Sequence, residues 1–233
     1  DLLVGREDGK LAFYGNTGLE FQQVVGDEDL FKSVAVGGSA TPVLVDLDDD
    51  DDLDLVVGAA DGSLTLYRRD ADSSFQAIAG PGDPFSNINV GAHSAPAFAD
   101  IDGDGLADLV IGKETSGRGA LTYYKNVGSP TTAEFRTVAE DPFANVLVGS
   151  FSKPTFYDID NDGDQDLIVG DDVGDVLLFL NVGSRFAPSF SVVESPFAGR
   201  ISAYAAPTFG LLNGVPSLVV GSAPGQLVVY GET

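Results

Sequence analysis

The sequence predicts an all-β chain built from repeated four-stranded units, and three observations carry that prediction. A strand-like phrase recurs: DLLVG (1–5), DLVVG (54–58), DLVIG (108–112), DLIVG (166–170) and SLVVG (217–221). The glycines that close it, Gly5, Gly58, Gly112, Gly170 and Gly221, are spaced 53, 54, 58 and 51 residues apart. No stretch holds a helical period for as long as about ten residues. A repeat of roughly 50 residues means stacked or radial supersecondary units, and it outranks any local reading.

Each unit has four beats. The first is a short run that starts at a proline: PVLVD (42–46), PAFAD (96–100), PTFYD (154–158) and PTFGL (207–211). Proline is tolerated at the start of a strand, where no internal ladder bond is lost. The second beat is the recurring phrase itself. The third is KLAFY (10–14), SLTLY (63–67), ALTYY (120–124), VLLFL (176–180) and QLVVY (226–230). The fourth is FQQVV (21–25), FQAIA (75–79), FRTVA (135–139) and FSVVE (190–194). These runs are rich in β-branched and aromatic residues, and Gly, Asn and Asp punctuate them, as in Asn126-Val-Gly128 and Asn181-Val-Gly183. Both features are strand and turn signals.

Four short antiparallel strands repeated radially describe a β-propeller of four-stranded blades. The aromatics of beat three read as blade-to-blade core, because they recur in every unit. A second phrase follows beat four: DLFKSVAVG (29–37), DPFSNINVG (83–91), DPFANVLVG (141–149) and SPFAGRISA (195–203). It carries the chain back to the next inner strand, with its Phe as a turn and packing anchor. Beats two and three occur five times, and beats one and four occur four times, so both end units are incomplete. Residues 1–233 therefore read as a single propeller domain or as part of a longer propeller array. Asp1 stands where the last carboxylate of another aspartate loop would be, which favours the array.

Composition bounds the function. Acids outnumber bases 36 to 12, for a formal charge of −24. Nucleic acid and anionic membrane surfaces want a basic face, so neither is an expected partner. The absence of cysteine excludes disulfides and thiolate metal sites.

The acids are concentrated between beats one and two. Residues 46–54 read DLDDDDDLD, residues 100–108 DIDGDGLAD, and residues 158–166 DIDNDGDQD. These stretches hold 16 of the 36 acids. Two carboxylates about 4 Å apart repel by about 4 kcal/mol at an effective dielectric near 20. A divalent cation reverses that sign. In the second loop Asp100, Asp102 and Asp104 alternate, Gly105 supplies a sharp turn and Asp108 closes the loop. Carboxylates at positions 1, 3, 5 and 9, with a backbone carbonyl at position 7, form an oxygen cage suited to Ca²⁺ rather than to the smaller Mg²⁺. The loop is not an EF-hand: position 12 is Ile111 or Val169, and a strand follows. The first loop keeps Asp46, Asp48, Asp50 and Asp54 but has Asp51 in place of the glycine. The third keeps Asp158, Asp160, Asp162, Gly163 and Asp166, with Asp164 at position 7. The last unit reads GLLNGVPS (210–217), its acids are gone, and no ion is expected there. Three bound Ca²⁺ would bring the formal charge from −24 to −18.

The pattern PxFxDxDxDGxxDLxVG followed by GxLxxY resembles the FG-GAP repeats of integrin α-subunit propellers, and more closely the VCBS and FG-GAP-like repeats of secreted bacterial and algal proteins. The last unit adds Phe209-Gly210 and Gly221-Ser-Ala-Pro224-Gly225. The resemblance implies a β-propeller with Ca²⁺ between the first two strands of a blade, in an extracellular setting, with roles in adhesion or ligand binding. It implies ligands at Asp100, Asp102, Asp104 and Asp108 with the backbone of Leu106. Likewise it implies Asp46, Asp48, Asp50, Asp52 and Asp54, and Asp158, Asp160, Asp162, Asp164 and Asp166.

The expected function is a non-catalytic, calcium-stabilised adhesion or protein-interaction module at the cell surface or outside the cell. Its partner would be a protein or glycan on a propeller face, or a neighbouring subunit. The alternative is a carbohydrate-binding, lectin-like propeller. A hydrolase or lyase stands third: the one histidine, His93, sits in a linker, and no HExxH or G-x-S-x-G motif occurs. The location follows from the metal, since extracellular Ca²⁺ modules bind at about 10⁻⁴–10⁻³ M and stay empty in most cytosol.

Overall fold

The repeated phrase becomes the first strand of the first sheet and the second strand of the other four, and the fold is a β-propeller of five antiparallel sheets. The computed structural model describes all residues except 19, 70–73, 117–120, 198–200, 224 and 232–233. The first sheet is β1 (Leu2–Gly5), β2 (Leu11–Asn16) and β3 (Phe21–Gln23). The second is β4 (Thr41–Val45), β5 (Asp54–Gly58), β6 (Leu64–Arg69) and β7 (Phe75–Ala77). The third is β8 (Ala95–Ala99), β9 (Asp108–Gly112), β10 (Thr122–Asn126) and β11 (Phe135–Arg136). The fourth is β12 (Lys153–Tyr157), β13 (Asp166–Gly170), β14 (Val176–Asn181) and β15 (Phe190–Val193). The fifth is β16 (Ala206–Leu212), β17 (Val215–Ser222) and β18 (Gln226–Gly231). Within each sheet the strands follow in chain order. Both end sheets have three strands, as the incomplete end units require.

The outer strands are shorter than the five-residue runs suggest, down to Phe135–Arg136 in the third sheet. They lie at sheet edges with their side chains after the first Phe largely exposed, so little packing extends the pairing. Ala120 of beat three and residues 198–200 of the last connector lie outside the described residues.

The chain forms two compact units, Asp1–Pro96 with Val127–Phe135, and Ala97–Asn126 with Arg136–Thr233. In the first unit, one core joins Leu11, Phe31 and Val34 to Leu55, Val57, Tyr67 and Phe75. In the second, one core joins Val110, Tyr123 and Phe143 to Leu167, Val169 and Phe179. Another joins Ile168 and Leu178 to Leu218 and Val220. Each core is therefore a seam between consecutive sheets, and β13, which gives Leu167 and Val169 to one seam and Ile168 to the next, is buried along all five residues without alternation. The connector phenylalanines are the predicted anchors. Phe31 stacks on Phe75 at 4.9 Å, Phe85 on Phe135 at 5.4 Å and Phe143 on Phe190 at 4.7 Å. Each connector thus pins the outer strand of the next sheet.

The closing glycines also belong to the seams. A Cβ on Gly112 would overlap the Ser152 carbonyl, and one on Gly170 the Ala205 carbonyl; the Pro154 and Pro207 rings lie against them too. Gly5 and Gly58 meet Ala40 and Ser94 in the same way. Beat-one proline and beat-two glycine are thus two halves of one close contact. Gly221 differs, because nothing lies nearer than 3.8 Å to its Cβ position. Gly170→Ala is expected to cost about 1–3 kcal/mol by overpacking, lowering Tm by several degrees in a thermal melt. Gly221→Ala is expected to leave Tm unchanged or slightly raised.

Candidate metal centres

The three aspartate loops occupy residues 46–53, 100–107 and 158–165, each between the first two strands of its sheet. Their backbone is shaped by the acids themselves. Asp46 accepts from the N–H groups of Asp48, Asp49 and Asp51. Asp100 accepts from Gly105 at 3.1 Å, and Asp158 from Asp162 and Gly163 at 3.1 and 3.0 Å. The position-5 carboxylates of Asp50, Asp104 and Asp162 each accept the N–H two residues on, from Asp52, Leu106 and Asp164. Positions 4 and 6 take left-handed backbone in every loop: Asp49 and Asp51 (φ 57° and 66°), Gly103 and Gly105 (74° and 88°), Asn161 and Gly163 (60° and 93°). Asp51 thus adopts the conformation of the glycine it replaces, at some steric cost.

This folding brings carboxylates together. One oxygen from each of Asp46, Asp48 and Asp50 lies within 4.8 Å of the others, as does one from each of Asp100, Asp102 and Asp104, and from each of Asp158, Asp160 and Asp166. These sets are half-buried to exposed apart from Asp166, which is buried. The position-9 carboxylates do structural work as well. Asp108 accepts N–H groups from Ile101 at 3.3 Å and Asn126 at 2.8 Å, and the Tyr123 hydroxyl at 2.9 Å. Asp166 accepts from Ile159 at 2.9 Å and Asn181 at 2.8 Å. Asp1 accepts from Asn16 at 2.9 Å, so it holds the same place in the first sheet. Asp52 lies out of its cluster, 3.1 Å from Arg69. Asp164 is 7% exposed, and its Oδ1 has no hydrogen-bond partner.

The sequence reading missed the cations. Arg68 pairs with Asp48 and lies 2.9 Å from Asp54. Lys125 pairs with Asp102 and lies 3.0 Å from Asp104. Arg185 reaches to 3.6 Å from Asp100, and a Cβ on Gly103 would fall 2.6 Å from the Phe186 ring. Arg68 and Lys125 each follow a beat-three tyrosine, but only the strand register sets them against the loops. A cleft of about 460 Å³ opens beside the second loop, lined by Asp102, Tyr123, Lys125, Glu140, Asp141 and Phe186 among others. The last unit instead closes a tight hairpin, Leu212 opposite Val215, through left-handed Asn213 and Gly214.

Residues 46–111, which run from the first aspartate loop through β9, match the family model of the FG-GAP-like repeat. That segment carries an FG-GAP-like repeat. No curated protein matches it. Among solved structures it is similar, at 17% identity and a TM-score of 0.47, to an Agrocybe aegerita lectin described as recognising non-reducing terminal N-acetylglucosamine. The likeness covers 96% of this chain and 61% of that one, so the repeat protein spans about three fifths of the lectin's length.

Electrostatics follow from burial and crowding. Burial pushes the Asp54 and Asp108 carboxyls up to about 6, against the pull of Arg68 on the first and of the Asn126 N–H and Tyr123 hydroxyl on the second. Burial, with Asp162 and Asp166 beside it, pushes Asp164 up to about 6. Burial also raises Asp48 and Asp166. A carboxyl whose folded pKa exceeds its unfolded value of about 3.9 takes up protons on folding between those two values. Its contribution to stability is full below the unfolded pKa and is lost as pH rises through the folded one. In metal-free buffer, calorimetric Tm is therefore expected to fall between pH 5 and pH 7.5. A rise across that interval would contradict the assignment.

Proposed function

We propose that this FG-GAP repeat protein is a non-catalytic Ca²⁺-binding propeller that serves adhesion or protein interaction outside the cell. The observation that carries the reading is the register of the three carboxylate clusters: the same loop, between the same two strands, in three consecutive sheets. The donor set is all oxygen, which suits a hard cation, and the flexible geometry of an irregular loop favours Ca²⁺ over Mg²⁺. The ligands are Asp46, Asp48, Asp50 and Asp54 in the first loop, Asp100, Asp102, Asp104 and Asp108 in the second, and Asp158, Asp160, Asp162 and Asp166 in the third. When bound, the ion supplies positive charge that offsets the repulsion among these groups. The chain's own part is to hold the carboxylates convergent; a bound cation would keep them ionised, which suits a clamp and makes them poor general acids. The extracellular setting follows from the affinity range of such sites. No helix among the described residues is long and apolar enough to cross a membrane.

A glycan partner is the second reading. The cleft beside the second loop supports it, since it pairs carboxylates with Phe186, a 70% exposed aromatic ring.

Thermal unfolding in 2 mM Ca²⁺, in Mg²⁺ and in EGTA tests the primary reading. At twenty times Kd, each site adds about 1.8 kcal/mol, so three sites are expected to raise Tm by about 10 °C. Asp102→Asn and Asp160→Asn are each expected to remove part of that rise. Indifference of Tm to both chelator and substitution would end the metal assignment.

A further inference from the structure

The three loops differ in one respect that their shared motif hides. Extending the ladder between the second and third strands by one step sets Asp54 opposite Arg68, Asp108 opposite Lys125, and Asp166 opposite Leu180. Cross-strand neighbours of this kind interact directly. In the first loop the Arg68 guanidinium reaches Asp48 and Asp54, and in the second the Lys125 ammonium reaches Asp102 and Asp104. Arg69 and Arg185 add a second cation to each. In the third loop, among the described residues, no ion pair involves Asp158, Asp160, Asp162, Asp164 or Asp166. That loop has five carboxylates in nine residues and, among the described residues, no basic side chain paired with them. All three loops hold buried carboxylate oxygens without a hydrogen-bond partner, on Asp48 and Asp54, on Asp100 and Asp102, and on Asp164, so the difference lies in the cations alone.

Resting on the metal reading above, we propose that Arg68 and Lys125 are resident counter-ions of the first two loops, and that the third loop, with Leu180 in their place, is the high-affinity site that loads first. A divalent ion entering the first or second loop must share its carboxylates with a fixed cation or displace it. The displaced side chain must then rest beside the ion, like charge against like charge. An ion entering the third loop meets carboxylates alone. The fold thus carries one site that stays filled as the outside Ca²⁺ falls, and two that empty earlier. When they empty, Arg68 and Lys125 return to the acids and limit the repulsion. The first two sheets to lose their ions are the ones equipped to stand without them.

Isothermal titration of the intact chain with Ca²⁺ tests this, using wild type, Lys125→Leu and Leu180→Lys. Wild type should show one site tighter than the other two by about tenfold or more. Lys125→Leu should create a second tight site, and Leu180→Lys should abolish the one present. A parallel melt adds a signature that a merely structural lysine would not give. Lys125→Leu should lower Tm in EGTA and restore it, to wild type or above, in saturating Ca²⁺. Ca²⁺ heats in every variant with unchanged affinities would overturn the inference and leave the metal reading standing. No heat in any variant would remove the metal reading, and this inference with it. Should Leu180→Lys fail to fold, Lys125→Leu decides alone.

Discussion

A buried carboxylate at the head of the second strand holds the second and third aspartate loops to their sheets. Asp108 and Asp166 each accept one N–H from the loop they close and one from the asparagine that ends the third strand. That oxygen-rich knot fixes where the first strand stops and the second begins. It also sets the loop's remaining carboxylates facing one another. Burial of a charged group without compensation is costly, and here the compensation is divided among backbone donors, side-chain cations and the proposed ion. Where the knot is absent, in the last unit, the chain abandons the loop. There Ser217 replaces the aspartate, and the first two strands lengthen into Ala206–Leu212 and Val215–Ser222 across a two-residue turn. The loop and its acids are one feature, present or absent together.

The seams between sheets depend on a second repeated constraint, the proline–glycine contact. Each closing glycine through Gly170 lies against the carbonyl and, in three of four cases, the proline ring of the next inner strand. The close approach lets two fully buried strand faces share one core, as Ile168 and Leu218 do. Repulsive loops at one end of the strands and tight apolar seams along them meet in the same residues, since DLxVG begins with the carboxylate and ends with the glycine.

Much of this was readable in the sequence. The period, the four beats, the incomplete ends and the Phe anchors all follow from residues that must recur if sheets are to pack in series. The left-handed place of Asp51 was readable too, because its counterparts are glycines. The cations were not readable. Arg68 and Lys125 lie 14 and 17 residues beyond Asp54 and Asp108, and only the strand register reveals that they face them. The double duty of the last carboxylate was hidden for the same reason. Asn126 and Asn181 look like turn punctuation until the third strand is laid beside the second. Strand ends in the fourth beat were also beyond reach, since exposed edges are set by neighbours rather than by propensity.

The central claim is that the three loops are cation sites. Equilibrium dialysis of the intact chain against millimolar ⁴⁵Ca²⁺ tests it most directly. The account predicts three ions per chain at saturation. A chain that retains none at that concentration would contradict it, and the carboxylate loops would then be solvated turns held by their own hydrogen bonds and by Arg68 and Lys125.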